Sequence, residues 1–176
     1  MFKLILGLLE PTEGEIIFKS SQGETINASD STRRFCSYIP QDIGVFTGTI
    51  EDNLRIVKSD ISETEMQNAL QQAELTSLIA SLPQGMKTRL NEKGANFSQG
   101  QLQRLAIARS LIRKSLVLLM DEATSALDSQ TEARVLENIM ISEPTQVRII
   151  TTHRASMLKY CNTVYKITEN GTLERQ

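Results

Sequence analysis

Two adjacent acids, Asp121 and Glu122, stand directly behind an unbroken apolar run, Leu116-Val117-Leu118-Leu119-Met120. So short an apolar run reads as a strand buried on both faces, the kind found in parallel sheets. Unpaired carboxylates cannot stay inside such a core, so the pair belongs where the strand emerges. In open α/β sheets that carboxyl end is where ligands bind. One carboxylate there suits a hydrated Mg²⁺, and its neighbour suits a water that it orients or deprotonates. A core strand ending in a solvated acidic turn is the alternative, and this stretch alone leaves both open.

Other residues carry chemistry only in combination. Ser98-Gln99-Gly100-Gln101 opens a helical pattern. A helix N-terminus presents free N–H groups and a positive dipole end, which favour phosphate. Ser98 adds a hydroxyl, and Gly100 would let a ligand approach the backbone. The plainer reading is a Ser N-cap beside a flexible glycine. His153, the sole histidine, follows a second apolar strand, Val147–Thr151, and so emerges on the same sheet edge as Glu122. Asp128 reads as the N-cap of a helix beginning near Gln130. Gln41, after another strand, reads by composition as a solvated loop residue.

The elements that must hold these residues follow from periodicity. Met1–Leu9 looks like the last turns of a helix stopped by Pro11. Glu15–Lys19 and Gly23–Ile26 read as a hairpin, and Arg33–Pro40 as a strand leading into the loop 41–49. From Ile50 to Leu82 the pattern is helical. Ser62 and Glu65 form a capping box there, with Met66, Ala69, Leu70, Ala73, Leu78, Ile79 and Leu82 near one face. After an irregular stretch, Gln99–Arg113 is a helix with Leu102, Leu105, Ala106, Leu111 and Ile112 inward. Arg104, Arg109 and Arg113 are left for solvent or partners. The Leu116 strand, a helix at Gln130–Ile141, the strand Val147–Thr151, a helical turn at Met157–Tyr160 and a strand at Thr163–Thr168 complete the order. Asn170-Gly171 reads as a hairpin-type turn. This predicts an α/β core with a helical lobe over Ile50–Arg113.

The chain has 176 residues, 40% hydrophobic and 23% charged, which fits one soluble domain or a core with an inserted lobe. A net charge of −2 gives no electrostatic reason to expect nucleic acid. Cys36 and Cys161 form neither a disulfide framework nor a metal-ligand spacing, which fits a reducing compartment. No segment reaches transmembrane length, and the short apolar N-terminus lacks a basic leader. A membrane role would fall to another chain or to a missing part of this one.

Taken in order, Gln41, Phe97-Ser98-Gln99-Gly100-Gln101, the strand ending in Asp121-Glu122, Ser125-Ala126-Leu127-Asp128 and His153 resemble the motifs of the ATP-binding cassette nucleotide-binding domain. The resemblance runs from Met1 to about Arg175. It implies a P-loop NTPase-type α/β core, incomplete at the N-terminus, formed by residues 1–49 and 114–176. It also implies a short N-terminal β-hairpin region and an inserted α-helical subdomain at 50–113. By the same resemblance ATP and Mg²⁺ are the ligands. Asp121 holds Mg²⁺ through water, with Gln41 reaching metal and water, and Glu122 polarises the attacking water. His153 contacts the γ-phosphate. Ser98, Gln99, Gly100 and Gln101 face ATP bound to the opposite subunit, and Asp128 crosses the dimer interface. Gln99 and Phe97 depart from the family's Leu-Ser-Gly-Gly-Gln, and Gln99 adds bulk beside the phosphate position. Thr88–Gly94, and Phe46–Ile50 with Asn53, look exporter-like.

The partners implied are a second cassette and a transmembrane domain at the cytoplasmic face of a membrane, with no nucleic acid. No Gly-x-x-x-x-Gly-Lys-Ser/Thr occurs in these residues. Gly7-Leu8-Leu9-Glu10-Pro11-Thr12-Glu13-Gly14 resembles the end of the helix that follows that loop. The expectation is therefore a C-terminal portion of a cassette, inactive on its own. A degenerate cassette that regulates a complete partner, and a soluble cassette acting on DNA or ribosomes, are the competing readings. The exporter-like loop and the lack of a basic stripe count against the latter.

Overall fold

The computed structural model describes residues 1–42 and 44–176; Ile43, in the loop expected after Gln41, lies outside them. Helix α1 (Phe2–Ile5) ends at Gly7, well before Pro11. Gly7 takes φ +62°. The amides of Gly7 and Leu8 turn back to the carbonyls of Leu4 and Lys3 at 3.0 and 2.8 Å, a Schellman stop. A Cβ at Gly7 would lie 2.5 Å from the Ser29 backbone, so conformation and close approach both require glycine.

The expected hairpin forms from β1 (Ile17–Lys19) and β2 (Thr25–Asn27). The strand expected at Arg33–Pro40 is shorter. Thr32 and Ser29 close a local turn, the Thr32 hydroxyl bonding both the amide and the carbonyl of Ser29 at 2.8 Å. Such side-chain bonds compete with sheet ladders. Thr32–Phe35 is thus a 3₁₀ turn, and β3 covers Cys36–Ile39.

The helical stretch divides into α2 (Ile50–Arg55), α3 (Glu63–Gln72) and α4 (Thr76–Ser81). Thr49–Asp52 and Ser62–Glu65 are both capping boxes. Met66, Ala69, Leu70 and Ala73 are buried as the periodicity predicts. The irregular region pairs β4 (Gly48–Thr49) antiparallel with β5 (Arg89–Leu90). Helix α5 (Gln99–Ile112) packs on α2, α3 and β3. More than one stripe is therefore covered: Gln103, Ile107 and Ala108 are buried with Leu102, Leu105, Ala106 and Ile112, while Leu111 is only partly buried.

Strand β6 (Val117–Asp121) lies between β3 and β7 (Val147–Thr151), parallel to both. Helix α6 (Ser129–Ser142) crosses from β6 to β7. Val117 and Leu119 pack with Phe2, Leu6 and Cys36 on one face. Leu118 and Met120 join Ile107, Leu136 and Ile139 on the other. Burial on both faces explains the unbroken apolar run. Leu116 lies outside the strand and is 64% exposed. Strand β7 pairs on one side only among the described residues and is half-buried, less covered than its sequence suggests. A 3₁₀ turn (Ala155–Tyr160) and the hairpin β8 (Tyr165–Ile167)–β9 (Leu173–Arg175) follow, the hairpin turning through Gly171 at φ +77°. No described helix is long and apolar enough to cross a membrane.

Gly7→Ala should cost about 1–3 kcal/mol of stability through backbone strain and the Ser29 clash. The reading is a lower urea midpoint with an unchanged denaturant slope.

Candidate active site

Parallel register aligns the end of β6 with the ends of its neighbours. Asp121 lies opposite Thr151, and the Thr151 hydroxyl donates to Asp121 Oδ1 at 2.6 Å. From β3, the Tyr38 hydroxyl donates to Oδ2 at 2.9 Å. Phe2 of α1 packs edge-on against the Tyr38 ring, centroids 5.8 Å apart. Burial, then the hydrogen bond and charge of Asp121, push the Tyr38 hydroxyl up to about 12. It therefore remains a donor throughout the neutral range. Each Asp121 oxygen accepts one of these protein bonds and keeps a further lone-pair direction.

Glu122 diverges from Asp121. Its φ is +48°, in the left-handed region that non-glycine residues rarely occupy. Its amide donates to the Thr151 carbonyl at 3.2 Å. The side chain has other neighbours: Gln41 Nε2 donates to Oε2 at 3.1 Å, and His153 Nε2 lies 3.1 Å from Oε1. His153 is 91% exposed beyond Glu122. Gln41, Asp121, Glu122 and His153 thus come together at one sheet edge.

Among the described residues, no group of three or more His, Cys, Asp or Glu could hold a metal alone. Mg²⁺ is commonly held by one or two carboxylates with waters and phosphate oxygens. The free lone pairs of Asp121 and the carbonyl oxygen of Gln41, whose amide nitrogen is committed to Glu122, form a hard-oxygen set that fits it.

A second group lines an open cleft of about 350 Å³ formed by Ser98, Gln99, Gly100, Arg104, Ala126, Leu127, Asp128 and Thr131. Ser98 caps α5, accepting from the Gln101 amide at 3.2 Å. The side-chain Oε1 of Gln101 accepts from the Ser98 amide at 2.8 Å, so this oxygen serves the cap. Gln99 is exposed at the mouth. Gly100 has a structural reason to be glycine: a Cβ would meet the Ala126 carbonyl oxygen at 2.9 Å. Asp128 caps α6, accepting from the amides of Gln130 and Thr131 at 3.1 and 3.0 Å. The Thr131 contacts, chiefly its amide, hold the Asp128 carboxyl below the usual range.

Two arginines expected to face solvent or partners are internal ties. Arg104 donates to the carbonyl of Glu74 at 2.5 Å, and Arg109 to that of Gly44 at 2.6 Å. The Arg109 guanidinium also lies over the Phe46 ring. Three residues beyond the sequence expectation position the site: Tyr38, Thr151 and Gln103. Gln103 is buried and donates to the Ser125 hydroxyl, while its carbonyl oxygen accepts from the Ala126 amide, both at 2.9 Å. A glutamine inside the apolar stripe of α5 was the available signal.

Alkaline absorbance titration should show one of the three tyrosines ionising near pH 12, and Tyr38→Phe should remove that step. A raised tyrosine pKa stabilises the fold fully below the unfolded value near 10 and is lost as pH rises through about 12. Unfolding measured from pH 9 to 12 should therefore show a smaller alkaline loss in Tyr38→Phe.

Residues 1–125 match the family model described as ABC transporter. A probable ABC transporter ATP-binding/permease protein of Haemophilus influenzae is 35% identical over 173 residues, covering 98% of this chain and 31% of the relative. The mycobactin import ATP-binding/permease protein IrtB of Mycobacterium tuberculosis is 34% identical over 171 residues, covering 97% of this chain and 29% of the relative. Among solved structures, a bacterial Atm1-family ABC exporter with ATP bound superposes with a TM-score of 0.85 at 32% identity, over 93% of this chain and 28% of that one. The chain thus spans under a third of the length of these proteins. With the family model matching well over half of its residues and such relatives along nearly all of it, the chain belongs to the ABC transporter family.

Proposed function

We propose that this chain is part of the ATP-binding and ATP-hydrolysing domain of an exporter-type ABC transporter. The observation that carries the reading is the split of two adjacent acids into separate holders: Asp121 between Tyr38 and Thr151, Glu122 between Gln41 and His153. Residues 1–49 and 114–176 form the α/β core, and 50–113 the helical subdomain.

In this reading Asp121 and Gln41 would hold Mg²⁺, which supplies charge neutralisation and Lewis-acid polarisation of phosphate oxygens. Tyr38 and Thr151 keep the Asp121 carboxylate aimed at that position. Glu122 orients the attacking water and takes its proton, and Gln41 and His153 hold Glu122 until the nucleotide arrives. His153, exposed beyond Glu122, then turns to the γ-phosphate.

The Ser98 cleft is lined by other residues than the acid cluster, so ATP would bind between the acid edge of one cassette and the Ser98–Gly100 helix start of a second. The hydroxyl of Ser98 and the N-terminal amides of α5 are the donors available to it. Asp128 crosses the same interface. The β4–β5 pair, built from the Phe46–Asn53 and Thr88–Gly94 regions, meets a transmembrane domain at the cytoplasmic membrane face, and no nucleic acid partner is expected. The transported substrate is chosen by the transmembrane part; relatives of this cassette are named for both import and multidrug resistance.

Gln99 supports a second reading, a degenerate cassette that pairs with and regulates a complete one. Failure of this chain to associate with any partner cassette would remove it.

These residues hold no Gly-x-x-x-x-Gly-Lys-Ser/Thr to cradle phosphates. Calorimetry on residues 1–176 should show only very weak ATP binding, and tight binding would overturn that expectation. In a cassette that includes such a loop upstream, Glu122→Gln should keep ATP binding and lower turnover by roughly 10²–10⁴-fold. Full activity of that variant rules out Glu122 as the base.

A further inference from the structure

The turn between β6 and α6 is tied down by a polar network that the capping of α6 does not need. Glu132, in the first turn of α6, has a side chain only 3% exposed. A buried carboxylate must be paired and hydrogen-bonded. It accepts from the Thr124 hydroxyl at 2.7 Å, Arg154 Nη1 at 2.9 Å and the Ser156 hydroxyl at 3.3 Å.

Arg154, next to His153, spreads its guanidinium over two segments. Besides Glu132, Nη1 donates to the Leu127 carbonyl at 3.1 Å and Nη2 to the Ser125 carbonyl at 2.8 Å. Its backbone amide donates to the Thr152 hydroxyl at 3.0 Å. On the other side of the turn, Gln103 grips Ser125 and Ala126. The planar fork of arginine can serve three fixed acceptors; the single ammonium of lysine cannot match that geometry.

We propose that Arg154 is a positioning residue, with Glu132 as its buried counter-charge. It locks the Ser125–Leu127 turn to the segment carrying His153. One side chain thus sets the wall of the Ser98 cleft and the loop of the acid cluster relative to each other. The meaning of this lock for hydrolysis rests on the ATPase reading; the lock itself does not.

His153 is the only histidine, so imidazole NMR signals report on that residue alone. In the full 176-residue chain, Arg154→Lys should shift or broaden those signals. The same variant should raise hydrogen exchange at the Ala126 and Leu127 amides by about tenfold or more, while Leu118 and Leu119 of β6 stay within about twofold. Glu132→Gln should act in the same direction, and the double variant should change little beyond Arg154→Lys. Unchanged imidazole signals and turn amides in Arg154→Lys overturn the proposal. Equal loss of protection in β6 also overturns it, because the pair then serves only global stability. Should Arg154→Lys not fold, Ser156→Ala, which removes one donor to Glu132, is read by the same criteria. No nucleotide enters these measurements, so a failure to bind ATP would count against the ATPase reading and leave this result standing.

Discussion

The site depends on the parallel pairing of β6 with a strand on each side. Four consecutive buried residues, Val117 to Met120, commit this strand to the centre of the described sheet. Pairing on both edges then fixes its register, since a one-residue slip would exchange its two faces. With register set, Thr151 must stand opposite Asp121, and Tyr38, on the face shared with Leu119, reaches the same carboxylate. The hydroxyls that orient the acid are thus consequences of strand pairing.

The second constraint is the left-handed backbone at Glu122. It follows the last residue of β6, where the extended conformation ends. Rotation at this position sends the two side chains to different partners, and the bond from the Glu122 amide to Thr151 ties the strained residue to β7. A non-glycine residue persists there only if its surroundings over-determine it. Gln41, from the end of β3, and His153, from the end of β7, contribute to that determination.

Around this edge, apparently free polar groups turn out to be structural ties. Arg104 and Arg109 serve backbone carbonyls, the side-chain Oε1 of Gln101 serves the cap of α5, and Gly100 makes room for Ala126. In the Ser98 cleft, the Ser98 hydroxyl and one Asp128 carboxylate oxygen likewise serve helix caps, and Gln99 stands exposed at the mouth.

Much was determined by the sequence alone. The apolar run ending in Asp121-Glu122 marked the central strand, because burial on both faces leaves no alternation. Ser62, Ser98 and Asp128 marked helix starts, because their side-chain bonds are local and need no distant partner. The order of motifs likewise identified the family. What only the tertiary structure decided lies between residues far apart in the chain. Tyr38 and Thr151 became clamps for Asp121 through strand pairing, and Gln103 became a brace for Ser125 through packing of α5. Gly7, where a Schellman turn ends the first helix before Pro11, must stay glycine also because the chain at Ser29 passes too close for a side chain. Periodicity and capping encode which face is buried and where a helix begins. Which hydroxyl meets which carboxylate depends on register and close approach, and these exist only once the strands are side by side.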